Sequence, residues 1–270
     1  MCFDKKISEL EIKGYTIFPE LLAEHDIASL KKEVALIPLT PVDYSDKQRV
    51  HHNFHLLGFY RVLELVAQSK IISFLDKLFG DDFICTSTLY AESHPGHPGI
   101  ALHTDAQPYG SEIFGMQASA PILVRVLFYL DDLTLEKSPF RVIPHSHLSL
   151  HKDANPYTRY EAHPDQEVIT CKAGTVVVIN QKIFHGSLPN ISHTSRALLA
   201  FAYRPAWASP IAKIDEWPKD KIQNIPAHLG TYFKSLNTQN IDFNVANRPE
   251  CLGRIALGLN RERWSFRGIN

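Results

Sequence analysis

The sequence has no CxxC pair. Its four cysteines, Cys2, Cys85, Cys171 and Cys251, stand far apart. They offer no disulfide framework, and a chain of 270 residues buries enough surface to fold without one. Reduced, mostly buried thiols are expected. There is no charge imbalance either: 28 Lys plus Arg stand against 29 Asp plus Glu, and the basic residues form no stripe. A partner held mainly by phosphate neutralisation is therefore excluded, and no nucleic-acid partner is expected. No window approaches the ~20 apolar residues of a membrane span, and the N-terminal stretch "MCFDKKISELEIKGYTIF" has no secretory apolar core. These absences point to a soluble, cytoplasmic protein with no membrane partner. Internal repeats, low-complexity tracts and linkers are also missing, so one domain is expected, as a monomer or homodimer.

Histidine is abundant, with 14 residues. Without paired cysteines, that favours a metal site built from nitrogen and oxygen donors. Along the first 82 residues the pattern is mostly helical. Leu22, Ile27, Leu30, Val34 and Ile37 lie on one stripe that Pro38 ends, and residues 60–79 read as one or two amphipathic helices closed by Gly80. From 83 to 207 the texture changes to β-branched and aromatic runs broken by turns: "FICTSTLYAE", "PILVRVLFYL", "FRVIP", "EVITCKAGTVVVINQ" and "SRALLAFAYRPAW". This spacing favours a sandwich or barrel over βαβ units. The C-terminal extension, 208–270, is mixed and polar, with one possible helix in "IPAHLGTYFKSLN".

Within "IALHTDAQPYG", His103 and Asp105 are two apart, so an extended backbone turns both to one side. Alone the triplet is common and weak. His185 follows a dense Val/Ile strand, and Arg196 opens another strand eleven residues later. On that strand Arg196 shares a face with Leu198, Ala200 and Ala202, an odd place for a charge unless the face lines a cavity holding an anion. Two imidazoles and a carboxylate on one side of a metal leave three positions open, the arrangement of non-haem Fe(II) oxygenases. A keto-acid that chelates the iron would need a cation for its far carboxylate. Arg196 can be that cation, with the Ser187 hydroxyl beside it.

Four stretches, "GYTIFPELLAEHDIASLKKEV", "LHTDA", "RVLFYLDDLTLEKSPFRVIPHSH" and "AGTVVVINQKIFHGSLPNISHTSRALLAFAYRP", in this order and spacing resemble the phytanoyl-CoA dioxygenase family of Fe(II)/2-oxoglutarate oxygenases over residues 14 to about 207. The resemblance implies an α+β protein with a double-stranded β-helix, a cupin-like jelly-roll, carrying N-terminal helices on one sheet. It implies His103, Asp105 and His185 as ligands of Fe(II), and Arg196 with Ser187 on 2-oxoglutarate, with O2 as the second co-substrate. The retained carboxylate of Asp105 implies an oxygenase, since related halogenases lack it. The chain departs from the family at "KSPF" and at His145, where glycine is usual. A glycine at the latter position would suit a positive φ, which histidine tolerates better than β-branched residues.

Further candidates remain open. Arg125 interrupts an apolar strand and either pairs with 2-oxoglutarate or an acidic substrate, or bonds a structural carboxylate. His52 and His55, in a cluster that includes His51, are substrate candidates or solvated loop residues. Tyr90, Gln107, Tyr109 and Met116 flank the expected pocket mouth and either shape substrate binding or pack. His94 and His97 read as loop residues. The expected reaction is oxidation, chiefly hydroxylation, of a C–H bond in a small molecule such as a natural product or amino-acid-like metabolite. The rivals are a cupin-type hydrolase or isomerase using the same ligands, and a non-catalytic binding jelly-roll.

Overall fold

The computed structural model describes residues 3–104, 121–148, 162–208 and 216–233. The chain begins with α1 (Phe3–Lys13), β1 (Tyr15–Phe18) and α2 (Glu24–Val34). In α2 the expected stripe is buried at Ile27, Leu30 and Val34, with Leu22 and Ile37 buried on either side. Strands β2 (Thr40–Val42) and β3 (Ser45–His52) follow, then the short α3 (Tyr60–Leu63) and, after a 3-10 turn, α4 (Ser69–Phe79). Gly80 ends α4 at φ +83°, its N–H bonded to the Asp76 carbonyl. The remaining strands are β4 (Phe83–Ser93), β5 (Ile100–His103), β6 (Val124–Tyr129), β7 (Phe140–Val142), β8 (Glu167–Ile169), β9 (Val176–Asn180), β10 (His185–Ser187) and β11 (Arg196–Pro205). Two four-residue helices, α5 (Lys219–Ile222) and α6 (Ala227–Gly230), complete the described chain.

The strands form two antiparallel sheets. The larger has the order β1-β9-β6-β11-β4-β3-β2 and the smaller β5-β10-β7-β8. This is the double-stranded β-helix core of an α+β protein. The N-terminal part is not purely helical, because β1, β2 and β3 extend the large sheet at both edges.

Each face of the large sheet has its own core. Leu127 and Tyr129 of β6, Val177 and Ile179 of β9 and Ala200 of β11 meet Phe140 and Val142 of β7 between the sheets. The alternate residues, among them Leu199, Phe201 and Tyr203 of β11 and Val126 and Phe128 of β6, pack against the helices. Because both faces are covered, the central strands are apolar throughout, a pattern more familiar in parallel sheets.

The acidic turn after β6 fixes the start of β11. Asp131 accepts the Ala197 N–H (2.8 Å) and pairs with Lys31 (2.6 Å). Asp132 accepts the Ala173 N–H and pairs with Lys172, both at 2.8 Å. Ser138, within "KSPF", adopts left-handed backbone at φ +45°, and His145 does so at φ +68°. His145 compensates by donating Nδ1–H to the Ile12 carbonyl (2.7 Å), and His147 Nε2 bonds the Glu11 carbonyl (2.8 Å). The Pro-His-Ser-His loop thereby caps the C-terminus of α1 instead of reaching toward the space between the sheets.

Candidate active site

Strands β5 and β10 are neighbours in the small sheet, and His103 and His185 are directly opposed in register. Cross-strand pairing alone brings such side chains together, and the two rings lie 4.4 Å apart, both buried. Each ring has the same local anchor two residues back: Nδ1 of His103 meets the Ala101 carbonyl at 2.8 Å, and Nδ1 of His185 meets the Ile183 carbonyl at 3.0 Å. A carbonyl only accepts, so Nδ1 carries the proton and Nε2 carries the lone pair that could bind a metal. The close approach of the strands depends on Gly186. A Cβ there would overlap the Ile100 carbonyl oxygen and stand 3.0 Å from that of Ala101. Asp105, the expected third ligand, lies outside the described residues, as do Gln107, Tyr109 and Met116. Among the described residues no cluster of three or more His, Cys, Asp or Glu is placed to hold a metal.

Arg196 opens β11 on the face shared with Leu198 and Ala200, toward the space between the sheets. It is almost fully buried. Nη2 donates to Ser93 Oγ at 2.9 Å, and Ser93 Oγ in turn donates to Gln48 Oε1 at 2.6 Å. The Tyr129 ring lies 5.9 Å from the guanidinium carbon. Nε and Nη1 have no partner among the described residues. Burial pushes the guanidinium pKa down, opposed by Tyr129, Tyr44 and Asp131, but an arginine stays charged. The Asp131 carboxylate does not neutralise it by contact, being committed to Ala197 N–H and Lys31. Ser187, on the same inward face as His185, is buried, and its Oγ has no partner among the described residues. A buried cation with two idle donors and an idle hydroxyl is costly unless an anion fills the space. The donor set therefore fits a bound carboxylate.

The other expected residues are dispersed. Arg125 is on the inward face with Leu127 and Tyr129, but it pairs in register with Ala202, six residues from Arg196 along β11. At about 3.3 Å per residue that is roughly 20 Å, too far for both guanidiniums to grip one carboxylate. His52 lies opposite Leu89, exposed at the rim of the inward face. Tyr90 lies on the opposite face of β4, packs with Leu199 in the helical core and bonds Glu92. His55 also lies away from the space between the sheets. It is buried on the helical side, bonded to Thr88 Oγ1 (2.9 Å), stacked on Phe233 at 4.8 Å and beside Trp217 at 4.6 Å. Burial there pushes its pKa down to about 3. His97, expected to be a plain loop residue, is instead fully buried, and the Arg196 charge acts on its ring.

Comparison with known proteins adds a family and a fold. The family model described as "Phytanoyl-CoA dioxygenase (PhyH)" matches residues 10–198, well over half of the chain. HygX from Streptomyces hygroscopicus, solved with nickel and 2-oxoglutarate bound, aligns with a TM-score of 0.66 at 13% identity, covering 88% of this chain and 95% of that one. The non-haem α-ketoglutarate-dependent epimerase SnoN from nogalamycin biosynthesis aligns at 0.61 and 15% identity, covering 76% and 83%. EctD from S. alaskensis in its apo form aligns at 0.62 and 19% identity, covering 76% and 78%. At such identities the three structures establish a shared fold.

Proposed function

The chain belongs to the phytanoyl-CoA dioxygenase family of Fe(II)/2-oxoglutarate-dependent oxygenases, and from that premise we propose that it oxidises a C–H bond of a small molecule, chiefly by hydroxylation, releasing succinate and CO2. In this reading Nε2 of His103 and of His185, with the Asp105 carboxylate, hold the metal, and Arg196 with Ser187 holds the distal carboxylate of 2-oxoglutarate. Ferrous iron so bound supplies O2 activation coupled to decarboxylation of the keto-acid. The side chains supply position. The backbone carbonyls of Ala101 and Ile183 fix the imidazole tautomers, and the Ser93–Gln48 pair and the Asp131 clamp fix the guanidinium. The inter-sheet core excludes water around them. Arg125 and His52, distant from Arg196 on the inward face, are left to meet the substrate. A natural-product substrate is supported by the company the fold keeps: SnoN belongs to nogalamycin biosynthesis, and HygX has been solved with hygromycin B bound.

The observation that carries this reading is the buried Arg196 with two nitrogens that have no partner among the described residues. A cupin-type hydrolase or isomerase would need the imidazoles but would leave that guanidinium without an anion. The test is aerobic incubation with Fe(II) and 2-oxoglutarate, following succinate. Wild type should produce it. Arg196→Ala should lose about a hundredfold or more in kcat/KM for 2-oxoglutarate, because truncating a buried charge partner costs ~3 kcal/mol. Unchanged turnover in that variant would refute the assignment.

A further inference from the structure

His97 is fully buried, and neither of its ring nitrogens has a partner among the described residues. Its position is tied to Arg196 by a short relay. The His97 carbonyl accepts the Asn190 N–H (2.9 Å), Asn190 Nδ2 donates to the Ser93 carbonyl (2.8 Å), and Ser93 Oγ accepts from Arg196 Nη2 (2.9 Å). A second backbone bond, Gly96 N–H to the Asn190 carbonyl at 2.8 Å, holds the same turn. The ring is near enough to Arg196 to feel its charge, and Tyr44, 6.2 Å from it ring to ring, feels the same charge. A bare buried imidazole is as anomalous as the idle guanidinium nitrogens to which the relay ties it, and one occupant could resolve both.

We propose that His97 is a co-substrate-binding residue that donates a ring N–H to the distal carboxylate of 2-oxoglutarate, alongside Arg196. This rests on the reading of Arg196 given above. A neutral imidazole suits the role: burial and the guanidinium push its pKa down to about 4, so it donates one hydrogen bond without adding a second cation. A carboxylate accepts both the guanidinium and the imidazole N–H, since it has about four lone-pair directions.

The test is a calorimetric titration of two probes into Mn(II)-loaded protein. One probe is 2-oxoglutarate; the other is 2-oxopentanoate, which has the same chain length without the distal carboxylate. His97→Phe, which keeps a packed ring and removes the donor, should weaken 2-oxoglutarate about tenfold or more and leave 2-oxopentanoate unchanged. His97→Gln, which keeps an N–H, should recover most of that loss. Equal losses on both probes, or no loss on 2-oxoglutarate, would overturn the proposal, since a merely structural imidazole would not discriminate between them. If wild type binds the two probes alike, the Arg196 reading itself fails and the inference falls with it. Thermal melts of each metal-loaded variant confirm that the protein being titrated is folded.

Discussion

At the residue scale the candidate site is a set of buried polar groups. His103 and His185 have their Nδ1 atoms fixed by carbonyls, and Arg196 and Ser187 hold donors in reserve. Replacing His185 by Ala should abolish tight binding of a divalent metal, measured by metal content after dialysis, because the proposed triad would keep two ligands of three. A variant that retained a full equivalent would show that the imidazole is not a ligand. His55 gives a separate prediction. Its folded pKa is depressed to about 3 from 6.5, so the unfolded chain binds the extra proton between those values. Stability contributed by the neutral ring is complete above pH 6.5 and falls with acidification toward pH 3, by up to about 1.4 kcal/mol per pH unit from this group. His97 and His147, also shifted downward by burial, act in the same direction. Urea midpoints at pH 7.5 and pH 5 should therefore differ, and His55→Phe should flatten the slope. An unaltered slope would place the titrating group elsewhere.

At the element scale the imidazole pair exists because β5 and β10 can approach closely, and they can because residue 186 is glycine. Gly186→Ala should push the strands apart and reduce metal affinity while leaving the large sheet intact, seen as retained far-ultraviolet dichroism with lost metal. Intact affinity would mean that the small sheet absorbs the Cβ. The loop after β7 offers a cleaner energetic test. His145 sits at φ +68° and offsets that with its bond to Ile12. His145→Ala keeps the left-handed backbone and loses the bond, so it should destabilise by ~1–2 kcal/mol. His145→Gly should cost less than the alanine variant. A reversed order in denaturant midpoints would contradict this. Strands β4, β6, β7, β9 and β11 and helices α2 and α4 were legible from sequence because their apolar runs are long and their turn residues are distinct, whereas α1 and the short strands β1, β2 and β3 were not singled out. The facing of β4 was not. Phe83–Ser93 is buried on both sides, so a period of two carries no polar contrast, and Tyr90 could be assigned to either face.

At the scale of the whole molecule the large sheet carries helices on one face and the site on the other. Sequence reading placed His103 in extended chain and Arg196 at the start of a strand; the structure adds that His185 and Ser187 lie on a strand of their own, β10, and the two sheets bring these strands around one interior. His97 escaped notice because "HPGHPG" has the composition of an exposed loop. Its burial comes from Asn190, more than ninety residues away in sequence, and no local pattern reports so distant a contact. Among the described residues no helix is long and apolar enough to cross a membrane. The most direct measurement is an anaerobic titration of 2-oxoglutarate into the Fe(II)-loaded protein, following the absorbance band that forms when the keto-acid chelates iron. The band should appear in wild type, saturate only at far higher concentration in Arg196→Ala, and be missing in His185→Ala. A band of wild-type strength and affinity in both variants, or none in wild type, would contradict an iron and 2-oxoglutarate site built on these residues.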